Sequence, residues 1–191
     1  MTLAYWQELL RPGIFLLANF AAFQLGWFAC VLGGAWRYPI AGAGIALAIL
    51  AWHLSTAQDR PAELKLILIA GAMGWLFDTA LLQTGWISFA EGAVFPGTAP
   101  IWMVTLWMLF ATTFNVSMTW IKSKLILAVV LGAAGGPLAY LAGARLGAMQ
   151  FHDQQPALIT LAIGWATATP LLAIVASRLN GFPPQPQPVT P

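Results

Sequence analysis

Six long apolar runs make up most of this chain, and very little charge interrupts them. They fall at 13–34, 38–54, 66–89, 101–121, 125–149 and 157–177, the second short and the fifth long. A helix needs about 20 largely apolar residues to cross a bilayer. Backbone N–H and C=O groups cannot go unpaired in lipid, so such runs must be helical. The alternating ten-residue segments of a transmembrane β-barrel are missing. The expected fold is all-α: a polytopic transmembrane bundle of six helices spanning 13–177. Composition agrees, with 60% hydrophobic and 7% charged residues, against about 25% charged in a soluble domain. A formal charge of +2 on so apolar a chain bears on membrane orientation, not on nucleic acid, which is not an expected partner. Cys30 is the single cysteine and excludes an internal disulfide.

Residues 1–12 are expected to form a short N-terminal interfacial segment, with Leu3, Trp6, Leu9 and Leu10 on one or two helical turns. The run behind them is too long for a signal h-region of about 7–15 residues, so the first span is read as retained. Residues 178–191 carry GFPPQPQPVTP and are expected to be a disordered, proline-rich cytoplasmic tail. Arg11, Arg60, Lys65, Lys122, Lys124 and Arg178 fall on one side of the expected topology, and Arg37 and Arg145 on the other. By the positive-inside rule both termini are then expected to be cytoplasmic, N-in and C-in. Trp36, Trp86 and Trp102 are expected at the outer interface, Trp52 and Trp120 at the inner one.

One carboxylate stands out. Asp78 lies inside GWLFDTALLQTGW, about twelve residues into the third run and slightly past the expected midplane. At 100° per residue it shares an arc with Gly71, Gly74, Leu81, Leu82 and Gly85. A glycine face is where another helix approaches closely, so Asp78 is expected to point into the bundle. Charge at that depth is costly, so the acid is expected to be neutral or paired. It reads either as a proton carrier or ligand contact, or as a structural hydrogen-bonding acid. Partners are available on neighbouring runs. Thr105, Met108, Thr112, Asn115 and Thr119 share one face of the fourth, and Asn19, Phe23, Gly26, Cys30 and Gly33 one face of the first, with Gln24 to the side. Asp78, Asn115, Thr112, Asn19 and Gln24 are therefore the candidate binding residues. The alternative for the Thr stripe is interhelical glue, each bond contributing about 0.6–2 kcal/mol.

The fifth run carries Gly132, Gly135, Gly136, Gly143 and Gly147, spaced as a small-xxx-small packing face. Gly135-Gly136-Pro137 is expected to kink or break that helix, as broken transporter helices do. Arg145 reaches Asp78 only if such a kink brings them together. His53 and His152 fall at opposite membrane faces, roughly 30 Å apart, which argues against a bis-His haem or a shared metal. No cofactor or metal is expected, and no nucleophile–base pair, phosphate loop or HExxH motif is visible, so no catalytic residue is assigned.

The order FQLGWFACVLGG, AWHLS, GWLFDTALLQTGWISF, PIWMVTLWMLFATTFNVSMTWI and GAAGGPLAYLAGARLGA, over roughly 15–180, resembles an uncharacterised bacterial family of small multi-pass inner-membrane proteins, catalogued as a domain of unknown function. The resemblance implies a helical inner-membrane protein of a Gram-negative bacterium. It also implies a gene neighbourhood with a cyclopropane-fatty-acid-synthase-like methyltransferase, hence a role near envelope-lipid modification. It transfers no catalytic residue.

Three classes of function remain open at this point. The chain could be a small transporter or permease, proton-linked through Asp78. It could be an accessory or scaffold protein of an envelope-lipid system. An intramembrane enzyme is the weakest of the three. Membrane lipids are the expected partners, with a homodimer or a second membrane protein as candidates.

Overall fold

The computed structural model describes residues 3–182, with side chains from residue 13 onward. Six helices follow one another: α1 (Leu3–Ala35), α2 (Pro39–Thr56), α3 (Arg60–Gln83), α4 (Ile101–Phe114), α5 (Leu125–Arg145) and α6 (Gln154–Arg178). All but α4 are long and apolar enough to cross a membrane, as befits a multi-pass membrane protein. Backbone chemistry sets the boundaries. Pro39 and Pro61 sit in the first turns of α2 and α3, where no N–H is needed. Asp59 caps α3 by accepting from the Ala62 N–H at 3.1 Å. Of the expected interfacial segment 1–12, residues 1–2 lie outside the described residues, and the backbone from Leu3 is already part of α1. The expected tail lies outside the described residues from 183 onward.

Three expected boundaries are corrected. The third run ends as helix at Gln83, and Ile87–Phe89 instead forms a strand, β1. The fifth ends at Arg145, and Met149–Phe151 forms β2. These strands pair antiparallel, Ser88 opposite Gln150. The turn before β2 uses Gly147 at φ 88°, so Gly147 is a turn residue and not part of a helical packing face. The fourth run, expected over 101–121, is helical only to Phe114, then turns and forms a 3-10 segment at Thr119–Ser123. At roughly 21 Å, α4 is shorter than a bilayer core of about 30 Å. Such a helix is tolerated because ten of its fourteen residues are buried, its irregular ends among them in protein.

The helices alternate in direction, which gives the bundle two ends. At the sheet end lie β1, β2, the 90–100 loop and the α1–α2 turn. At the basal end lie the α2–α3 loop, the 3-10 segment and both described chain ends, where the Phe15 and Phe182 rings are 5.7 Å apart. The short α4 is the axis, packed on α1, α2, α3 and α6. Around it run α1 against α2, α3 beside α6, and α6 against α5. Glycines permit the closest approaches: Gly33 of α1 meets Gly42 of α2, and Gly132 and Gly136 of α5 meet Trp165 of α6. The ring stays open between α1 and α5, which line two sides of one pocket instead of packing closely.

The proline-bearing helices α5 and α6 are continuous through Pro137 and Pro170, so of the expected kink or break at Gly135-Gly136-Pro137 the break is not formed. Trp102 is another correction. It is not an interfacial tryptophan but a buried one, 1% exposed, donating its indole N–H to the Glu91 carbonyl at 2.9 Å.

Candidate functional site

The gap between α1 and α5 is a cleft of about 380 Å³ with α4 as its floor. Phe23 and Gln24 of α1 form one wall, and Gly135, Ala139 and Gly143 of α5 the other. Trp107 and Phe110 pave the floor, and Trp165 and Thr169 of α6 close the back. Gln24, Phe28 and Gly135 line the cleft and are exposed, so it opens at the flank of the bundle. From Gly132 to Gly143 it extends roughly 16 Å along α5, about half the depth of a bilayer core. The α5 small-residue face thus divides. Gly132 and Gly136 seat Trp165, whereas a Cβ at Gly135 or Gly143 would meet nothing within 4 Å. The cleft, not a helix of this chain, occupies that second stripe.

Asp78 stands behind the cleft wall, fully buried at 0% exposure. It is five residues before the end of α3, roughly 8 Å from the sheet end, so it lies closer to that end than the sequence count implies. Gly71, Gly74, Asp78 and Leu81 are all buried on one face, as the periodicity requires. What fills the glycine face is the side chains of α4: Met108 lies on Gly71 and the Trp107 indole on Gly74. That seat aims the indole N–H at Asp78 Oδ2, 2.8 Å away. The Tyr140 hydroxyl of α5 donates to Asp78 Oδ1. Trp107 stacks on Trp165 at 4.3 Å with 20° between planes. Both carboxyl oxygens are thus engaged by aromatic donors, and Tyr140 and Trp107 also line the cleft. Arg145 is exposed and is not the partner of Asp78. Gly74→Ala would press a methyl group into an indole held by hydrogen bond and stack. It is expected to destabilise the protein by about 1–3 kcal/mol, measurable as a lower midpoint of unfolding in detergent.

The other candidate residues lie elsewhere. Asn19 donates to the Thr112 carbonyl at 3.3 Å and accepts from the Ser117 hydroxyl at 2.7 Å, tying α1 to the end of α4. The Thr112 hydroxyl returns to its own helix at the Leu109 carbonyl. Gln24 reaches the cleft but not Asp78. Asn115 belongs to a basal network that the sequence reading misses. Glu63, 0% exposed, meets His53 Nε2 at 3.0 Å through Oε2. Its Oε1 accepts from Asn115 Nδ2 and from the Gly181 N–H at 2.9 Å. Asn115 also donates to the Leu179 carbonyl at 2.8 Å and accepts from Lys122 Nζ at 2.7 Å. Burial pushes the Lys122 ammonium below the ordinary lysine value, and the charge of Glu63 opposes that shift. The end of α2, the end of α4 and the segment after α6 thus meet at this one carboxylate.

Two signals could have found what was missed. Extending the Gly132–Gly136 stripe by four more residues lands on Tyr140. His53 in the last turn of α2 and Glu63 in the first turn of α3 flank a short loop, where complementary groups readily meet. Among the described residues no group of three or more His, Cys, Asp or Glu could hold a metal ion.

No curated protein and no solved structure matches the chain. The family described as a protein of unknown function (DUF2878) matches residues 16–171. With most of its length inside that match, and every element of the cleft represented there, the chain belongs to this family of unknown function.

Proposed function

We propose that the protein is an accessory component of a membrane-lipid system that holds a lipid in the α1/α5 cleft. The observation that carries this reading is the cleft itself. It is apolar, open at the flank of helices suited to a membrane, and long enough for roughly one leaflet's depth of chain. A cleft so placed is filled by bilayer components before any aqueous solute reaches it. Its volume is at the low end of small-molecule sites, which run about 300–1,000 Å³. Gly135→Leu tests the reading, because Gly135 lines the cleft and a Cβ there meets no neighbouring atom within 4 Å. Native mass spectrometry should find lipid retained by the wild type and about tenfold less on the variant, with folding intact. Equal retention by both proteins would sink the proposal.

A second reading, proton-linked transport, has one observation in its favour: the Tyr140 hydroxyl links a buried acid to the cleft. Against it, Asp78 faces aromatic donors and not a polar path. Proteoliposomes carrying Asp78→Asn decide: a working proton site predicts a folded protein with proton flux abolished, a structural acid predicts no change.

Both readings place the basal end in the cytoplasm of a bacterial inner membrane, since Arg60, Lys65, Lys122, Lys124 and Arg178 gather there. A C-terminal alkaline phosphatase fusion is then expected to be inactive, and high periplasmic activity would reverse the orientation.

A further inference from the structure

We infer that the cleft takes an acyl chain from a phospholipid of the leaflet at the sheet end, with the methyl end toward the 3-10 segment and the headgroup left outside. This rests on the lipid-holding reading above and adds which lipids reach the site and which way they point. Depth is the first observation. On α1 the lining runs from Val31 to Phe23, roughly 6 to 18 Å from the sheet end of that helix. On α5 it runs from Gly143 to Leu131, roughly 3 to 21 Å from the same end. Each leaflet supplies about 15 Å of a bilayer core of about 30 Å. A chain of the sheet-end leaflet therefore lies beside the cleft for most of its length. A chain of the basal leaflet reaches only the lower edge, with its methyl end.

Closure at both ends is the second observation. At the sheet end Gly147, just past α5, lies against Ala35, the last residue of α1: a Cβ on Gly147 would stand 3.8 Å from the Ala35 methyl. Met149 of β2 lines the cleft at that end. At the basal end the chain leaving α4 crosses under the cleft. The Ser117 hydroxyl donates to Asn19 of α1 at 2.7 Å, Met118 lines the cleft, and the 3-10 segment packs on α5 and α6. The opening is thus a window in the flank, and an occupant enters it sideways from hydrocarbon. Among the described residues that line it none is charged. A phosphate drawn through the window would find no counter-charge, so the headgroup stays at the interface. With the basal end in the cytoplasm, as proposed above, the leaflet served is the periplasmic one.

Photocrosslinking reads the direction of the chain. Full-length protein in phosphatidylcholine nanodiscs receives trace phosphatidylcholine carrying a diazirine either near the carboxyl end or at the methyl end of one chain. Adducts are mapped by peptide mass spectrometry. The carboxyl-end probe is expected to mark Val31, Trp102 and Gly143, and the methyl-end probe Phe23, Met118 and Gly132, all cleft-lining residues. The ratio of upper to lower adducts should therefore invert between the two probes. Reversed order, or one distribution for both probes, overturns the inference, and wild-type protein suffices for this arm. Gly135→Leu should remove the cleft adducts of both probes and spare those at Ile45 and Leu47 on the exposed face of α2. Cleft adducts lost with Gly135→Leu but in reversed order leave the lipid-holding reading standing. Cleft adducts that survive Gly135→Leu undiminished remove that reading as well. Phosphatidylglycerol and phosphatidylethanolamine bearing the same probes should give the same yield and order. A strong dependence on headgroup would place the headgroup inside the cleft and overturn the inference.

Discussion

Glu63→Leu is expected to cause the largest loss of stability of any single change in this protein, about 3–5 kcal/mol. The substitution removes the acceptor shared by His53, Asn115 and the Gly181 N–H, all in a place water does not reach. It also strands Lys122, which sees the carboxylate through Asn115. Glu63→Gln is expected to cost much less, about 1–2 kcal/mol, because a carboxamide oxygen still accepts from Asn115 and Gly181 while its N–H group faces His53. Equilibrium unfolding in detergent, compared across wild type, Gln and Leu, gives the ranking. The geometry adds a local signature. The segment after α6 is held by the Gly181 N–H on Glu63, the Leu179 carbonyl on Asn115, and the Gly181 carbonyl on the Gln58 N–H at 2.8 Å. Limited proteolysis should therefore cut near Asn180 faster in the Leu variant, before global unfolding. A Leu variant as stable and as protease-resistant as wild type would show that the basal network contributes nothing.

Asp78→Leu is the second large effect, expected at about 2–4 kcal/mol. Two buried donors, the Trp107 indole and the Tyr140 hydroxyl, lose their acceptor together. Asp78→Asn keeps an oxygen for one of them and is expected within about 1 kcal/mol of wild type. Tyr140→Phe and Trp107→Phe, combined with Asp78→Leu in double-mutant cycles, apportion the loss, since neighbours that share a network are not additive. Coupling near zero in both cycles would remove Asp78 from its place as the link between α3, α4 and α5. The same variants bear on function. Asp78→Leu should loosen the aromatic floor, because Trp107 is held by its bond to Asp78 and its stack on Trp165. Lipid retention in the cleft should fall along with stability. Under the transport reading, activity would instead be lost in the well-folded Asn variant.

The course of α4 marks where the sequence stops being informative. Phe114-Asn115-Val116-Ser117-Met118 continues an apolar helical pattern, and nothing local ends it. The helix stops because Asn115 is recruited by Glu63, Lys122 and the Leu179 carbonyl, while the Thr113 carbonyl accepts from Met118 N–H at 2.7 Å. Two of those partners, Glu63 and the Leu179 carbonyl, come from segments remote in sequence. Likewise the α5 glycines form one pattern in the sequence and two surfaces in the fold. Gly136 is a seat for Trp165, and Gly135 is the wall of a cleft. Helical periodicity fixes the angle at which a residue leaves its own helix, but not whether a neighbour stands there.

What the sequence alone determined is what short-range physics and the solvent dictate. Apolar runs of membrane length must be helices, and the face carrying Gly71, Gly74 and Asp78 must turn inward, because neither backbone nor carboxylate survives in lipid unpaired. What only the tertiary structure decided is partnership. Asp78 meets Trp107 and Tyr140, Glu63 collects the basal ends of the chain, and the ring of helices around α4 stays open between α1 and α5. Those outcomes depend on which helices pack side by side, and in an apolar solvent that choice is made by shape and by a few hydrogen bonds rather than by any pattern within one helix.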